Sequence, residues 1–253
     1  MLLEVKDLNI SLTSEKSVAE HISFRLGQGE MLSIVGSSGA GKTTICKAIM
    51  GLLGNTYRAD GEILFQGEDL LDLPERKRQT IYGKEICLIM QNPMTAFNPS
   101  IRVGRQMEKT YLLHHGKTPR QEMQRLFAAI LQKLGLEDTQ RILNSYPFTL
   151  SGGMLQRLMI AAALMCQPAL LVADEATTAI DACNRIGLMR ELKSFCKDGM
   201  SVLFVTHDLR SASVSDRILV MDRGQIVEQG KTEQILRRGL PFVRRMPMPL
   251  RKI

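Results

Sequence analysis

Short, continuous apolar runs recur along the chain, and longer segments with helical spacing separate them. Such runs, bounded by polar residues, are typical of strands buried on both faces of a parallel sheet. We assign four of them to one core sheet: residues 31–35, 86–90, 169–173 and 201–206. Because helical segments fill the intervals between them, the pattern predicts an α/β fold with a mixed, mainly parallel sheet.

A second pattern, typical of antiparallel strands, occupies the first quarter of the chain. Residues 3–6 and 22–26 alternate apolar with polar side chains, and the polar segment 11–17 between them is turn-like. Residues 61–67 have the pattern of another short strand closed by a turn. We therefore expect an antiparallel β subdomain beside the core.

Residues 104–165 have a helical pattern, because apolar side chains recur at three- and four-residue spacing and no strand-like run interrupts them. Gly135 ends the clearest of these helices. The segment therefore predicts an inserted α-helical subdomain. The expected division of the chain is an α/β core with the antiparallel β subdomain at 1–91 and 167–236, a helical subdomain at 92–166 and a basic tail at 237–253.

The net charge of +7 comes almost entirely from the C-terminal end of the 253-residue chain. Residues 237–253 contain six basic and no acidic residues, so the rest of the chain carries only about +1. A nearly neutral body argues against a nucleic-acid groove, and we expect no nucleic-acid partner. The basic tail either lies in solvent or contacts anionic lipid headgroups.

Targeting signals and metal-like cysteine groups are both missing from the sequence pattern. No apolar run approaches the length of a membrane-spanning helix, and the N-terminus lacks a charged and apolar leader. We therefore expect the chain to remain in the cytosol. The five cysteines form no metal-like group with the four histidines, which favours buried free thiols.

One motif determines the chemistry that we expect. Residues 36–43 fit the phosphate-binding pattern G-x-x-x-x-G-K-S/T between a predicted strand and a predicted helix. Glycines allow a tight turn with inward-facing amides, and the helix N-terminus adds a positive dipole end. Lys42 would reach the β- and γ-phosphates, and Thr43 would offer its hydroxyl to Mg²⁺. The alternative is a chance glycine-rich turn. The candidate nucleotide-binding residues are Gly36, Ser37, Ser38, Gly39, Ala40, Gly41, Lys42, Thr43 and Thr44.

Polar residues follow the carboxyl ends of the other core strands, where parallel sheets bind ligands. Asp174 is placed to hold Mg²⁺. Glu175 would point elsewhere, since strand residues alternate in direction, and would accept a proton from an attacking water. His207 would contact the γ-phosphate or orient Glu175, and Gln91 would offer its amide oxygen to the metal and its NH₂ group to the water. The alternative for the two acids is a solvated strand end.

A second anion-binding feature lies in the helical segment. Ser151, Gly152 and Gly153 precede an apolar helix, so a hydroxyl and two glycine amides meet a helix N-terminus. One phosphate loop is enough to hold one triphosphate. This turn therefore makes sense if it closes over the nucleotide of a partner chain.

The motifs together resemble those of the nucleotide-binding subunits of ABC transporters, over residues 1 to about 235. They stand in the family's order: the phosphate loop, Gln91, the signature at 150–156, the Asp174–Glu175 pair, the D-loop at 178–181 and His207. Segments 90–99 and 145–153 resemble the oligopeptide, dipeptide and nickel importer branch, and the continuation after Gly153 resembles its nickel-type D subunit.

The resemblance implies ATP and Mg²⁺ as cofactors, with Glu175 as the base that activates water. It implies a head-to-tail pair of ATPase subunits, in which each ATP lies between one phosphate loop and the other chain's Ser151 turn. It also implies a peripheral position on the cytoplasmic face of the inner membrane. There a permease helix docks beside Gln91, and a substrate-binding protein acts indirectly. The substrate (nickel, another metal or metallophore complex, or a peptide) stays open, as does whether the second ATPase is a copy or a paralogue.

Three positions depart from the family pattern. Leu12 is the nearest candidate where family members stack adenine on an aromatic residue, and losing that face would cost about 1 kcal/mol. Ala176 stands where proline is usual, and Ile180 where leucine is usual. These two changes are conservative in size, so we expect activity to survive.

Two other classes of function compete with transport. A soluble ABC-type ATPase of DNA repair would carry very long coiled coils, and a ribosomal one would carry two nucleotide domains per chain; neither pattern is present. A phosphate-loop kinase with a lid would leave the Ser151–Gly153 turn without a purpose. The importer ATPase is therefore the leading hypothesis.

Overall fold

A computed structural model describes residues 1–175 and 182–237, and for residues 182–184 it gives the backbone alone. The strands are β1 Leu3–Leu12, β2 Ser17–Leu26, β3 Met31–Gly36, β4 Tyr57–Phe65, β5 Glu68–Asp69, β6 Ile86–Ile89, β7 Leu170–Asp174, β8 Ser201–Thr206, β9 Arg217–Asp222 and β10 Gln225–Lys231. The helices are α1 Lys42–Ile49, α2 Glu75–Ile81, α3 Val103–His115, α4 Arg120–Lys133, α5 Thr139–Asn144, α6 Gly152–Met165, α7 Ala182–Cys196, α8 Leu209–Ala212 and α9 Thr232–Arg237. Short 3-10 helices lie at Pro93–Thr95 and Pro147–Thr149.

The core is a six-stranded sheet in the order β10-β9-β3-β8-β7-β6. All neighbouring pairs are parallel except β9 and β10, which are antiparallel. In β8, Val202 and Phe204 pack into one apolar cluster and Leu203 and Val205 into another, so both faces of the sheet are covered. This is the mainly parallel sheet that the continuous apolar runs predict.

The antiparallel sheet has the order β2-β1-β4-β5. Its strands are longer than the alternating pattern indicates, because β1 extends to Leu12 and β2 begins at Ser17, which leaves only 13–16 for the turn. Polar residues in these extensions lie on exposed positions of the strands, and register shifts interrupt the alternation. The fold class is confirmed: a mixed, mainly parallel core sheet, an antiparallel sheet and a group of helices.

The segment between β6 and β7 contains α3 to α6 and no strand, as its spacing predicts. Helix α4 ends at Lys133, and Gly135 follows with a φ of 69°, a left-handed conformation that suits glycine. The sequence analysis missed α2 and the hairpin formed by β9 and β10. The hairpin's outer strand, β10, alternates exposed with half-buried residues, which is a weak signal beside the apolar core runs.

Two smaller expectations can be compared with the fold. Cys46, Cys87, Cys166 and Cys196 are buried free thiols, while the side chain of Cys183 lies outside the described part. Within the described ranges, no helix has the combination of length and apolar character that crossing a bilayer requires.

Candidate active site

The phosphate loop connects β3 to α1 and is fixed by close backbone approaches. A Cβ on Gly36 would lie 2.4 Å from the carbonyl oxygen of Met221, and one on Gly41 would lie 2.8 Å from that of Val18. Gly41 also has a φ of 93°. No side chain caps α1, so the amides of its first turn stay available to an anionic ligand. The loop therefore fits a phosphate group, and any side chain at Gly36 or Gly41 would disturb it.

Lys42 is held over this loop although it carries a charge. Only 5% of the residue is exposed, and its Nζ donates to the carbonyl oxygens of Gly36 at 3.0 Å and Ser37 at 2.8 Å. Burial lowers the pKa of Lys42, while the nearby carboxylates of Glu175 and Asp174 oppose this shift. An ammonium group has three protons to donate. The third is available to a phosphate oxygen.

Thr43 and Asp174 bring two oxygen ligands together. The Thr43 hydroxyl donates to Oδ1 of Asp174 at 3.1 Å, across the gap between α1 and the end of β7. Burial raises the pKa of Asp174, and the bond from Thr43 partly opposes that shift. Hydroxyl and carboxylate oxygens are ligands that Mg²⁺ accepts, so this pair fits a magnesium site.

Glu175 is hydrogen-bonded to two side chains, Gln91 and His207, and we call these three residues the Glu175 triangle. Gln91 Nε2 donates to Glu175 Oε2 at 2.8 Å, and His207 Nδ1 lies 3.1 Å from Glu175 Oε1. A carboxylate can only accept, so His207 Nδ1 carries the proton of this contact. The four strand ends thus bring their polar residues to one edge of the sheet.

One expectation about this triangle needs correction. Glu175 does not turn away by strand alternation: β7 ends at Asp174, and Glu175 has a φ of 49°, a left-handed conformation that is costly for a residue with a Cβ. Its amide still donates to the carbonyl oxygen of Val205 at 2.9 Å. The NH₂ group of Gln91 donates to Glu175, and its contact with an attacking water stays a prediction, since an NH₂ group has two protons.

Asp208, whose role the sequence pattern did not predict, follows His207 and caps the start of α8. Its Oδ2 accepts from Ser211 Oγ at 2.7 Å and from Arg185 at 3.2 Å, and its Oδ1 accepts from the amide of Arg210. Burial raises the pKa of Asp208, but these hydrogen bonds outweigh it, and the pKa is lowered overall. Its position just before α8 is the usual signal of an N-cap and would have revealed this role.

The Ser151 turn stands apart from this cluster. Ser151 is exposed, and its hydroxyl oxygen accepts from the amide of Met154 at 3.2 Å, which caps α6. Among the described residues, no hydrogen bond joins Ser151, Gly152 or Gly153 to the phosphate loop. Leu12 is half-buried at the end of β1, where it pairs with Tyr57 of β4. The D-loop 178–181 and Ala176 lie outside the described residues.

Comparison with known proteins gives this site a family. The family model described as ABC transporter matches residues 19–178. The metal-staphylopine import system ATP-binding protein CntD of Staphylococcus aureus (strain Mu50) is 40% identical over 93% of this chain and 88% of its own length. The oligopeptide transport ATP-binding protein OppD of Bacillus subtilis is 42% identical over 92% of this chain and 67% of its own length.

Solved structures agree at the level of fold. The ATP-binding cassette MJ0796, determined as a dimer in a post-hydrolysis state bound to ADP and Pi, has a TM-score of 0.80 and 27% identity. The aligned region covers 91% of this chain and 99% of that one. The protein cbiO1 of Clostridium perfringens, part of a cbiONQ transporter complex, has a TM-score of 0.82 at 24% identity over 94% and 91% of the two chains, a likeness of fold alone.

Proposed function

The chain belongs to the ABC transporter family, and from this premise we propose that it hydrolyses ATP to drive import through a membrane permease. The triangle of Gln91, Glu175 and His207 beside the phosphate loop carries the proposal, because it supplies a positioned base next to a phosphate site. The relatives' names support import of a metal complex or of peptides as the transported class.

Binding of the nucleotide begins with the phosphate loop. The loop amides and the first turn of α1 would hold the phosphate oxygens, and Lys42 would turn its third proton toward them. Thr43, Asp174 and Gln91 would hold Mg²⁺, which supplies charge neutralisation for the phosphates when bound. Leu12 would give the base an apolar but not an aromatic contact.

Hydrolysis needs a base that does not move. Both oxygens of Glu175 are already held, one by Gln91 and one by His207, and each oxygen keeps a second lone pair for a water proton. Holding the carboxylate in place before the reaction reduces the entropy that must be lost in the transition state. The Nδ1 proton of His207 is given to Glu175, so its part in the proposed reaction is to orient that carboxylate.

The Ser151 turn would complete the site from a second ATPase subunit, either a copy or a paralogue. Ser151 is exposed and makes no bond to its own chain's phosphate loop, so it is free to face outward. The dimeric MJ0796 cassette, which was solved with ADP and Pi, supports a paired arrangement. In that pair the turn would add a hydroxyl and helix N-terminal amides to the same triphosphate.

The permease would dock where apolar side chains surround the Gln91 segment. Met90, Met94 and Ile101 are 41%, 54% and 41% exposed, which is unusual for large apolar residues in three nearby positions. A cytoplasmic permease helix would cover them and place the chain at the membrane surface. A separate substrate-binding protein would then deliver the transported molecule to the permease.

The decisive experiment is uptake by cells that lack this chain. We expect deletion to abolish uptake of either labelled metal–metallophore complexes or labelled peptides, and the wild-type chain, but not the Glu175→Gln variant, to restore it. Restoration by Glu175→Gln would refute coupling to hydrolysis. Unchanged uptake of every labelled class, together with ATPase activity that needs no permease, would instead favour a soluble ABC-type ATPase.

A further inference from the structure

A cavity of about 400 Å³ opens among helices α3, α4 and α5, away from the nucleotide-site residues. We call it the α3–α5 pocket. Its floor contains the apolar side chains of Met123, Phe127 and Leu143, and Phe127 also packs edge-on against Tyr111. Arg102, Arg105 and Arg120 line it as well. The pocket therefore combines apolar side chains on one part of its lining with positively charged side chains on another.

These three arginines lack the carboxylate partners that arginines commonly find. Among the described residues none of them forms an ion pair, whereas Arg141, on α5, pairs with Asp138 at 2.8 Å. Arg102 instead lies over the ring of Tyr146, 5.9 Å from its centroid. Glu108 is the one acidic residue of the lining, so the wall keeps a net positive charge. Guanidinium groups in this state favour a bidentate carboxylate ligand.

The pocket also lies between two segments that lead to the nucleotide site. Arg102 directly follows the exposed Ile101 of the proposed permease-docking surface. On the other side, α5 leads through the stacked rings of Tyr146 and Phe148 to Ser151. Whatever fills the pocket thus touches the chain between Gln91 and Ser151, where movement of the helices would matter for catalysis.

We propose that the α3–α5 pocket receives an acidic side chain of the permease's docking segment, with the methylene stem on Phe127 and the carboxylate on Arg105 and Arg120. This inference rests on the proposed function. Glutamate fits best because its stem is apolar and its end can accept two parallel hydrogen bonds from a guanidinium group. The contact would choose the matching permease and fix its orientation, as charge complementarity does at interfaces.

The test compares two double variants with equal changes in net charge. Arg105→Glu with Arg120→Glu reverses the pocket wall, and Arg58→Glu with Arg125→Glu reverses two exposed arginines that do not line the pocket. Binding of each full-length variant to detergent-solubilised permease subunits is measured beside its ATP affinity. We expect the pocket variant to bind the permease about tenfold or more weakly, and the control variant to bind like wild type.

A charge exchange identifies the partner residue. Each acidic residue of the permease's cytoplasmic loops is changed to Lys, and one such change should restore binding to the pocket variant but not add binding to the control. If the reversed pocket does not fold, shown by lost ATP affinity, the milder Arg105→Gln with Arg120→Gln replaces it. The same direction of effect is expected from that variant.

Three results would overturn the proposal. Wild-type affinity of the folded pocket variant would show that the arginines do not contact the permease. Weaker ATP-dependent pairing of two ATPase subunits with intact permease binding would assign the pocket to a second subunit. A wild-type chain that hydrolyses ATP but never binds the permease would remove the proposed function together with this inference, whereas the first two results leave that function standing.

Discussion

The edge of the core sheet and the Ser151 turn differ in how many hydrogen bonds they make to distant parts of the chain. At the sheet edge, hydrogen bonds join polar side chains from four separate parts of the chain. These side chains are Lys42, Thr43, Asp174, Gln91, Glu175 and His207. At the turn, Ser151 is exposed, and within the described ranges its side chain bonds to its own helix alone. Both features have the composition of an anion site.

This difference bears on the contacts that the Ser151 turn does not make to its own chain's phosphate loop. A single chain can preorganise the phosphate loop, the metal ligands and the base, because parallel strands end at one edge. It cannot bring its own Ser151 turn into that cluster with the helices arranged as they are. In the proposed pair, the turn would serve a surface that a second subunit presents.

The largest effect should come from Glu175→Gln. Removing the base is expected to lower ATP turnover by about 10²- to 10⁴-fold, while ATP still binds and the paired subunits stay closed. Steady-state phosphate release and sedimentation with ATP would measure the two quantities, and Glu137→Gln, at an exposed position, is the control. Turnover at the parental rate would remove Glu175 from the base role.

Lys42→Ala should weaken ATP binding by roughly ten- to a hundredfold, because a charged hydrogen bond to phosphate is lost from a buried position. Fluorescent ATP titration of the isolated subunit measures this. Lys47→Ala, on the exposed side of the same helix, should bind ATP normally. Equal affinities for the two variants would contradict the phosphate-loop assignment.

Ser151→Asp separates the two regions directly. Asp retains an N-cap for α6, so folding should be preserved, but its charge would repel the phosphates of a partner's nucleotide. We expect unchanged ATP binding by the isolated subunit and about tenfold or more weaker ATP-dependent pairing. Ser100→Asp, another exposed position, should leave both unchanged. Weaker binding by the isolated subunit would place Ser151 at its own chain's site.

Asp208→Asn tests the hydrogen-bond network at the start of α8, next to His207. The pKa of Asp208 is below its usual 3.8 in the folded chain, so the folded state binds fewer protons than the unfolded state. The resulting stabilisation is complete above pH 3.8 and is lost as the pH falls through the lowered pKa. Asn should therefore reduce the free energy of unfolding by about 1 to 2 kcal/mol at pH 7.

Urea unfolding over a pH series would follow this difference. The gap between wild type and Asp208→Asn should narrow as the pH drops below 3.8. Asp72→Asn, at an exposed position, should show no gap at any pH. A gap that stays constant on acidification would contradict the charged network.

The smallest effect should come from Leu12→Phe. An aromatic face at the end of β1 would stack on adenine and gain about 1 kcal/mol, which is about fivefold in affinity. The KM values for ATP and for GTP measure the gain, which both purines should show, with Thr13→Phe as the neighbouring control. No change in either KM would place the base away from Leu12.

Much of the fold could be read from the sequence because its core strands are apolar without interruption. The runs at β3, β7 and β8 contain no ambiguity between strand faces, since both faces are buried. The longer reach of β1 and β2, the helix α2 and the β9–β10 hairpin were missed. Most residues of α2 and every second residue of β10 are exposed, so tertiary pairing outweighs local propensity there. Strand β9 is different, because its middle residues 218–221 are an apolar and fully buried run that was overlooked.

The sequence likewise predicted some residues of the candidate site and not others. Lys42, Thr43, Asp174 and Glu175 could be named as candidates because a phosphate-loop motif and an acidic strand end occur in the same sequence. The N-cap position of Asp208 before α8 was visible in the sequence, but its partner Arg185 was not, because only the position of α7 brings Arg185 to it. The left-handed Glu175 was also beyond sequence reasoning, since its backbone is fixed by a bond to Val205 from another strand.

By itself, the sequence determined the family, the phosphate loop and the identities of the acid, amide and imidazole groups, because these depend on residue type and order along the chain. Only the tertiary structure decided that Gln91 and His207 hold opposite oxygens of Glu175 and that Ser151 is exposed. It also decided that three arginines with no ion pair to any described residue gather around the α3–α5 pocket. Those arrangements depend on distances between residues far apart in sequence. Such distances are set when the sheet and helices pack together, where burial and hydrogen bonding act across the whole chain.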